Sequence, residues 1–392
     1  MDVSGIPPEF ARAKALTSLW TFPSLLASAF FVAWGAEAAQ FLVSRGMALA
    51  ILAWLQTLPE FAVEAVIAWH RDVPLMTANF TGSLRLLTGL GWPMVLFVAF
   101  FFARRKDRKA KAEVVLDPEQ SIEIMGLLPG ILYFWVIYLK GTLTLVDSAV
   151  LVAIYLGYLW TLNRLPPRDL EDMADVPKIS RWVLERGSAG RRWGTLALFL
   201  AGGILLWISA HPFLESMLAL ASMWGVSSFV FVQWVSPFLS EFPEKLSAYN
   251  WARQVSKAPM AVMNLVSSNI NQWTVLVAMI PMVYCFSLGR VATIAFDAHQ
   301  RSEILLTMAQ SFLGFVLLAD LRFTLFEAVG LFVLWLVQFL VPDWREAITL
   351  IYWVWALIEL VRAVADRRRV IAIRHFFLLL QGGGQRRPAA SS

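Results

Sequence analysis

The chain has 392 residues, of which 58% are hydrophobic and only 16% charged, with 18 tryptophans and a formal net charge of +5 at pH 7. A soluble domain of this length needs more polar surface, and the basic residues lie between apolar runs, so membrane topology rather than nucleic acid accounts for the positive charge. One cysteine, Cys285, excludes an internal disulfide framework and any cysteine-based metal cluster.

In chain order, 1–19 lacks the short apolar core and small-residue cleavage site of a signal peptide, so the first span is expected to act as its own insertion signal. The apolar runs are long enough to cross about 30 Å of hydrocarbon, and period-two alternation is missing, which argues against a β-barrel. They read as about eleven helical spans. The first half holds 20–43, 47–69, 75–103, 122–140 and 143–163; the second holds 193–211, 217–250, 258–288, 303–320, 323–341 and 346–364. The expected fold is an all-α polytopic membrane protein of two inverted five-helix repeats plus a C-terminal helix. Its parts are a first repeat at 20–163, a cytoplasmic linker at 164–192, a second repeat at 193–341, an additional transmembrane helix at 342–366 and a basic tail at 367–392. Pro166, Pro167, Gly187 and Gly190 mark the linker.

Lysine and arginine set the orientation. With the N-terminus outside, the inner segments carry Arg45, the run from Arg104 to Lys111, Arg164, Arg168, Lys178, Arg181, Arg186, Arg191, Arg192, Arg253, Lys257, Arg322 and the tail arginines. The outer segments carry only Arg12, Lys14, Arg71, Lys140, Arg290, Arg301 and Arg345. The reading is an integral protein of a bacterial cell membrane, N-terminus outside and C-terminus cytoplasmic. Arg367, Arg368 and Arg369, followed by the apolar stretch 370–380, suit an anionic inner leaflet.

Two segments carry charge where an ordinary span would not. Gln56-Thr57-Leu58-Pro59-Glu60-Phe61 is followed by Ala78-Asn79-Phe80-Thr81-Gly82-Ser83, and Ser240-Glu241-Phe242-Pro243-Glu244-Lys245 by Met263-Asn264-Leu265-Val266-Ser267-Ser268. The step from Glu60 to Asn79 is 19 residues and that from Glu244 to Asn264 is 20. An odd number of crossings separates the copies, so they run in opposite directions, the pattern of a transporter site built near the midplane from interrupted helices. Pro59 and Pro243 free backbone carbonyls, which are ligands for a hard cation in a buried, wet cavity. A glutamate at a helix centre costs about 2.5–3.5 kcal/mol on insertion, which points to a function or a partner for Glu60 and Glu244. Asn79 and Asn264 offer amide oxygens, while Gly82, Ser83, Ser267 and Ser268 permit close helix approach.

These segments, at 54–90 and 236–274, resemble the paired α-repeats of the cation/calcium antiporter superfamily, the sodium/calcium exchanger family, as a divergent member. Its repeats carry Gly-Thr-Ser-x-Pro-Glu and, about twenty residues on, Gly-Asn-x-x-Gly-Ser-Asn-x-x-Asn. The resemblance implies that Glu60 and Glu244 are the acidic metal ligands, joined by Thr57, Ser240, Ser83 and Ser268. Gln272 keeps an oxygen at the later ligand position of the second repeat, where Asn269 is also present. Departures from the pattern are Leu84 and Leu87 in place of asparagines, Glu241 in place of serine, and the bases Arg85 and Lys245.

The implied function is secondary antiport of Ca2+ or another cation against Na+, H+ or K+ by alternating access. The alternative is a non-transporting protein that keeps the scaffold for sensing or assembly. Arg85 and Lys245 are candidate tethered cations standing in for a coupling ion; the other reading pairs them structurally, Lys245 with Glu241 one turn away and Arg85 with Glu60 or Glu64. No catalytic triad order, zinc-binding His-Glu-x-x-His or phosphate loop is present, so no enzyme and no cofactor are expected. Expected partners are inorganic cations and the lipid bilayer, with no nucleic acid; the oligomeric state is left open.

Overall fold

The computed structural model describes residues 8–42, 54–163, 173, 176–366 and 370–381. Residues 47–53 of the second expected span, most of the linker and the arginines at 367–369 lie outside these. The first half of the chain contains α1 (Pro8–Leu16), α2 (Ser18–Ala39), α3 (Leu58–Trp69), α4 (Val73–Leu86), α5 (Trp92–Lys106), β1 (Glu113–Val115), α6 (Ser121–Lys140), β2 (Thr142–Leu143) and α7 (Leu145–Leu162). A short α8 (Lys178–Leu184) precedes α9 (Ser188–Met223), α10 (Ser228–Ser240), α11 (Phe242–Ala252), α12 (Ala258–Asn271), α13 (Val277–Leu288), β3 (Ile294–Ala295), α14 (Ala298–Leu318), β4 (Arg322–Thr324) and α15 (Leu325–Leu340). The chain then forms α16 (Arg345–Ala365) and α17 (Ile371–Leu380). Among the described residues, seven helical runs are long and apolar enough to cross a membrane. Shorter apolar helices, α10 and α15 among them, pack in the same bundle.

The four short strands establish the inversion. β1, between α5 and α6, pairs with β4, between α14 and α15. β2, between α6 and α7, pairs with β3, between α13 and α14. Helix α6 separates β1 from β2, so the two pairs cap opposite ends of the bundle. The loop carrying β1 in the first repeat corresponds to the loop carrying β3 in the second, and these equivalents sit at opposite ends.

One boundary differs from the sequence reading. Spans at 193–211 and 217–250 are replaced by a continuous α9 that runs through Pro212 to Met223, and by α10 starting at Ser228. Glu215, which falls between those two expected spans, is a helix position and is paired with Lys14 at 2.7 Å. A proline inside a membrane helix is tolerated because packed neighbours re-satisfy the freed carbonyl.

At the centre lie α4 and α12, each almost wholly buried and each followed by a π-helical turn, Leu87–Gly91 and Gln272–Leu276. Close packing holds them. A Cβ built on Gly82 would stand 1.9 Å from the Gln233 carbonyl oxygen, so backbone meets backbone where α4 crosses α10. At the β1–β4 end, Ala372 N–H donates to Ala319 O at 2.9 Å, which docks α17 on the bundle.

Candidate functional site

Each repeat breaks a helix at the same place. In the first, the helical turn at Trp54–Gln56 stops at Thr57 and α3 restarts; in the second, α10 stops at Glu241 and α11 restarts. Pro59 and Pro243 sit in the first turns of the new helices, where a missing N–H forfeits no bond. Glu60 and Glu244 fall in the same turns, where exposed N–H groups favour a carboxylate. The breaks place both glutamates at the centre, wholly or almost wholly buried.

The repeats are cross-linked through their acids. Glu60 accepts from Asn79 Nδ2 at 2.6 Å and from the Ser240 hydroxyl of the other repeat. Glu241 accepts from the Ser83 hydroxyl, from Gln272 Nε2 at 2.6 Å and from Lys245 Nζ at 2.5 Å. Ser268 donates to Glu244 Oε1, and Asn264 Nδ2 reaches Gln56 Oε1 at 3.3 Å. Thr57 turns its hydroxyl proton to Trp54 O at 2.8 Å and is held at the break rather than on a carboxylate.

Several buried polar atoms in this cluster have no partner, and most are oxygen acceptors: Glu64 Oε1, Asn79 Oδ1, Glu244 Oε2, Asn264 Oδ1, Asn269 Oδ1 and Gln272 Oε1. On the donor side stand Gln56 Nε2 and Asn271 Nδ2. An unsatisfied buried acceptor costs about 1–3 kcal/mol, and a hard cation relieves many at once because it gathers six to eight oxygens. Among the described residues no three His, Cys, Asp or Glu side chains form a ready-made metal cluster. The donor set mixes carboxylate, amide and hydroxyl oxygens, which suits a hard cation over a soft one.

Arg85 departs from expectation. It does not approach Glu60 or Glu64. Its guanidinium donates to Glu303 at 2.6 Å, to Gln338 Oε1 at 3.1 Å and to Thr81 O at 3.2 Å, and lies 5.2 Å from the Trp234 ring centre. Residues advance by about 100° in a helix, so Arg85 points away from the face shared by Asn79 and Ser83. It is therefore not positioned as a tethered cation in this cluster, whereas Lys245 makes the one-turn pair with Glu241. Sequence reasoning also left Glu64 outside the candidate set, although it lies one turn from Glu60 on the same face of α3 and accepts from Asn79 Nδ2 at 2.8 Å. Glu303, whose second oxygen binds Arg345, was missed because nothing near it in sequence signals a partner.

Comparison with known proteins places this architecture. The family described as sodium/calcium exchanger protein matches residues 14–163 and 194–342. The chain belongs to that family. Among solved structures it is similar to the crystal structure of the H+/Ca2+ exchanger CAX, at 33% identity and a TM-score of 0.85, over 94% of this chain and 92% of that one. The sodium–calcium exchanger NCX_Mj shares the fold at 16% identity and a TM-score of 0.55, over 83% of this chain and 96% of that one. Native YfkE does so at 13% identity and 0.59, over 84% and 96%. No curated protein sequence matches the chain.

Proposed function

We propose that this sodium/calcium exchanger family member is a secondary antiporter that moves Ca2+, or another hard cation, against Na+, H+ or K+ by alternating access. The observation that carries the reading is the group of unpaired, buried oxygens gathered where the two inverted, broken helices meet. The central ligand set is Glu60, Glu244, Glu241, Asn79, Asn264, Ser83, Ser240, Ser268 and Gln272, with Thr57 holding the break. The similarity to an H+/Ca2+ exchanger at 33% identity supports divalent cargo. Lys245 acts as a tethered cation that neutralises Glu241 and lowers the number of mobile charges the site must take. The β1–β4 end, beside Arg104 and Arg105, faces the cytoplasm of a bacterial cell.

Flux of 45Ca2+ into proteoliposomes tests the reading. Imposed Na+, K+ or pH gradients should each be tried as the driving force. Wild-type protein should exchange under at least one of them, and Glu244→Gln, which keeps the shape and removes the charge, should reduce flux to the level of empty vesicles. If no gradient drives exchange and Ca2+ leaves the melting temperature unchanged, the protein is a scaffold for sensing or assembly.

A further inference from the structure

Away from the ion site, helices α6, α14 and α16 meet at the β2–β3 end around a cavity of about 420 Å³. Its lining includes Tyr138 from α6, Arg301, Ser302 and Leu305 from α14, and Glu346 and Thr349 from α16. Tyr138 stands in the last turn of α6, Arg301 in the first turn of α14 and Glu346 in the first turn of α16. The cavity therefore lies where these helices leave the bundle, at the depth of lipid headgroups. The exposed Trp344, directly before α16, marks the same level.

The two polar walls differ in hydrogen-bonding sense. On α14, Arg301 makes no ion pair among the described residues; its guanidinium stands 5.1 Å from the Tyr138 ring centre, and its Nε–H has no hydrogen-bond partner. Ser302 adds a hydroxyl donor beside it. On α16 the groups accept. Glu346 is exposed and pairs with no base. Thr349 gives its proton to Arg345 O at 2.7 Å, which leaves its oxygen free to accept. A cation and a donor thus face the cavity from one wall, and an anion and an acceptor from the other.

Rings continue inward from this polar mouth. Tyr138 contacts Trp135 at 5.8 Å between centroids, Trp135 contacts Trp353 at 5.6 Å, and Trp353 contacts Phe312 at 5.5 Å. Helix α6 ends at the β2–β3 end while α14 and α16 begin there, so Trp135, Trp353 and Phe312 all lie deeper in the bilayer than the cavity. Helical spacing puts Glu346, Thr349 and Trp353 on one face of α16, and Arg301, Leu305 and Phe312 on one face of α14. The rings are half-buried, so one edge of the ladder is open to lipid. A dipolar mouth above an aromatic ladder matches a molecule with a zwitterionic head and an apolar tail. A purely anionic head would leave Glu346 without a cation, and a trimethylammonium head has no N–H to give to Glu346 or Thr349.

We propose that this cavity binds phosphatidylethanolamine, with the phosphate on Arg301 and Ser302, the ammonium on Glu346 and Thr349, and one acyl chain along Trp135 and Trp353. The site uses none of the central carboxylates, so its test is independent of the antiporter reading.

The test is native mass spectrometry of the full-length protein, stripped of lipid in detergent and titrated with phosphatidylethanolamine, phosphatidylglycerol or phosphatidylcholine of identical acyl chains. Wild type should retain phosphatidylethanolamine more tightly than either other lipid by about threefold or more. Glu346→Gln should abolish the preference over phosphatidylglycerol. Arg301→Gln should weaken all three lipids, because each carries the phosphate, and Trp353→Ala should weaken all three without changing their order. Glu346 is exposed and unpaired, so its variant decides the matter even where another fails to fold. Glycerophosphoethanolamine, the same head without acyl chains, should not displace the lipid at equal concentration. The proposal is overturned by a wild type that does not prefer phosphatidylethanolamine, by a Glu346→Gln variant that keeps the wild-type order, or by folded Arg301→Gln protein that binds as wild type does. Displacement by the free head at equal concentration also overturns it, and makes the cavity a site for a soluble phosphoethanolamine.

Discussion

Glu303 is 2% exposed and sits between two guanidinium groups, that of Arg85 at 2.6 Å and that of Arg345. Replacing it by glutamine would leave both cations facing neutral partners: Gln338 and Thr81 O for Arg85, and Gln233 for Arg345. Removing one partner of a buried ion pair destabilises by about 3–5 kcal/mol, because the survivor remains buried and uncompensated. With an unfolding entropy of about 2 cal/mol/K per residue, a chain of this length should melt about 4–6 °C lower. Arg345→Met removes a cation instead and leaves Arg85 and Glu303 matched one to one, so its loss should be nearer the value of a single charge-assisted bond, about 1.5–3 kcal/mol. Thermal unfolding of detergent-purified protein, followed by tryptophan fluorescence, reads both. The reasoning fails if Glu303→Gln melts within about 1 °C of wild type, or if Arg345→Met is the more damaging change. Replacing all three charged residues by methionine should recover much of the stability lost by Glu303→Gln.

Two further outcomes are expected. Lys245→Met exposes Glu241 Oε2, which now accepts from the ammonium at 2.5 Å, and should increase the positive charge moved per Ca2+. The reversal potential of exchange across a proteoliposome membrane measures that ratio, and an unchanged ratio rules out the tethered-cation role. Gly82→Ala would force a methyl to 1.9 Å from Gln233 O, so α4 and α10 must separate; overpacking of this kind costs about 1–3 kcal/mol, and melting should fall accordingly. Gly203→Ala, with open space around it, should leave melting unchanged or raise it slightly, and serves as the helix-propensity control.

Much of the site was legible because its contacts follow helical spacing or motif spacing. The step from Glu60 to Asn79 became a hydrogen bond, and the one-turn step from Glu241 to Lys245 became an ion pair. The same geometry, applied to α4, would have turned Arg85 away from Asn79 and Ser83; position along the chain was weighed where angle around the helix decides. Leu87 and Gln272 show a different limit. They begin the two π-helical turns, and that local widening depends on how α4 and α12 pack at the centre. No residue in either turn specifies it alone. Glu303 needs Arg85 and Arg345, 218 and 42 residues away, and only the assembled bundle brings the three together.

This charge network also bears on which helices move. Gln233, Glu303, Gln338, Arg85 and Arg345 tie α10, α14, α15, α4 and the start of α16 together. Pulling any of these apart inside a membrane would leave a buried charge unpaired, at about 3–5 kcal/mol. Helices α2 and α9 pack on one another through small residues instead. A Cβ on Gly202 would meet Ser28 O at 3.0 Å, Gly35 abuts Phe199, and Thr21 bonds Ser216 at 3.0 Å. Their polar tie to α11 runs from Ser247 to Glu37 at 3.2 Å. Sliding this pair as a unit over the broken helices breaks no bond of the Glu303 network and keeps the pair's own packing intact. A route to alternating access that spares this network therefore moves α2 and α9 while α4 and α10, which carry Asn79, Ser83 and Ser240, stay fixed.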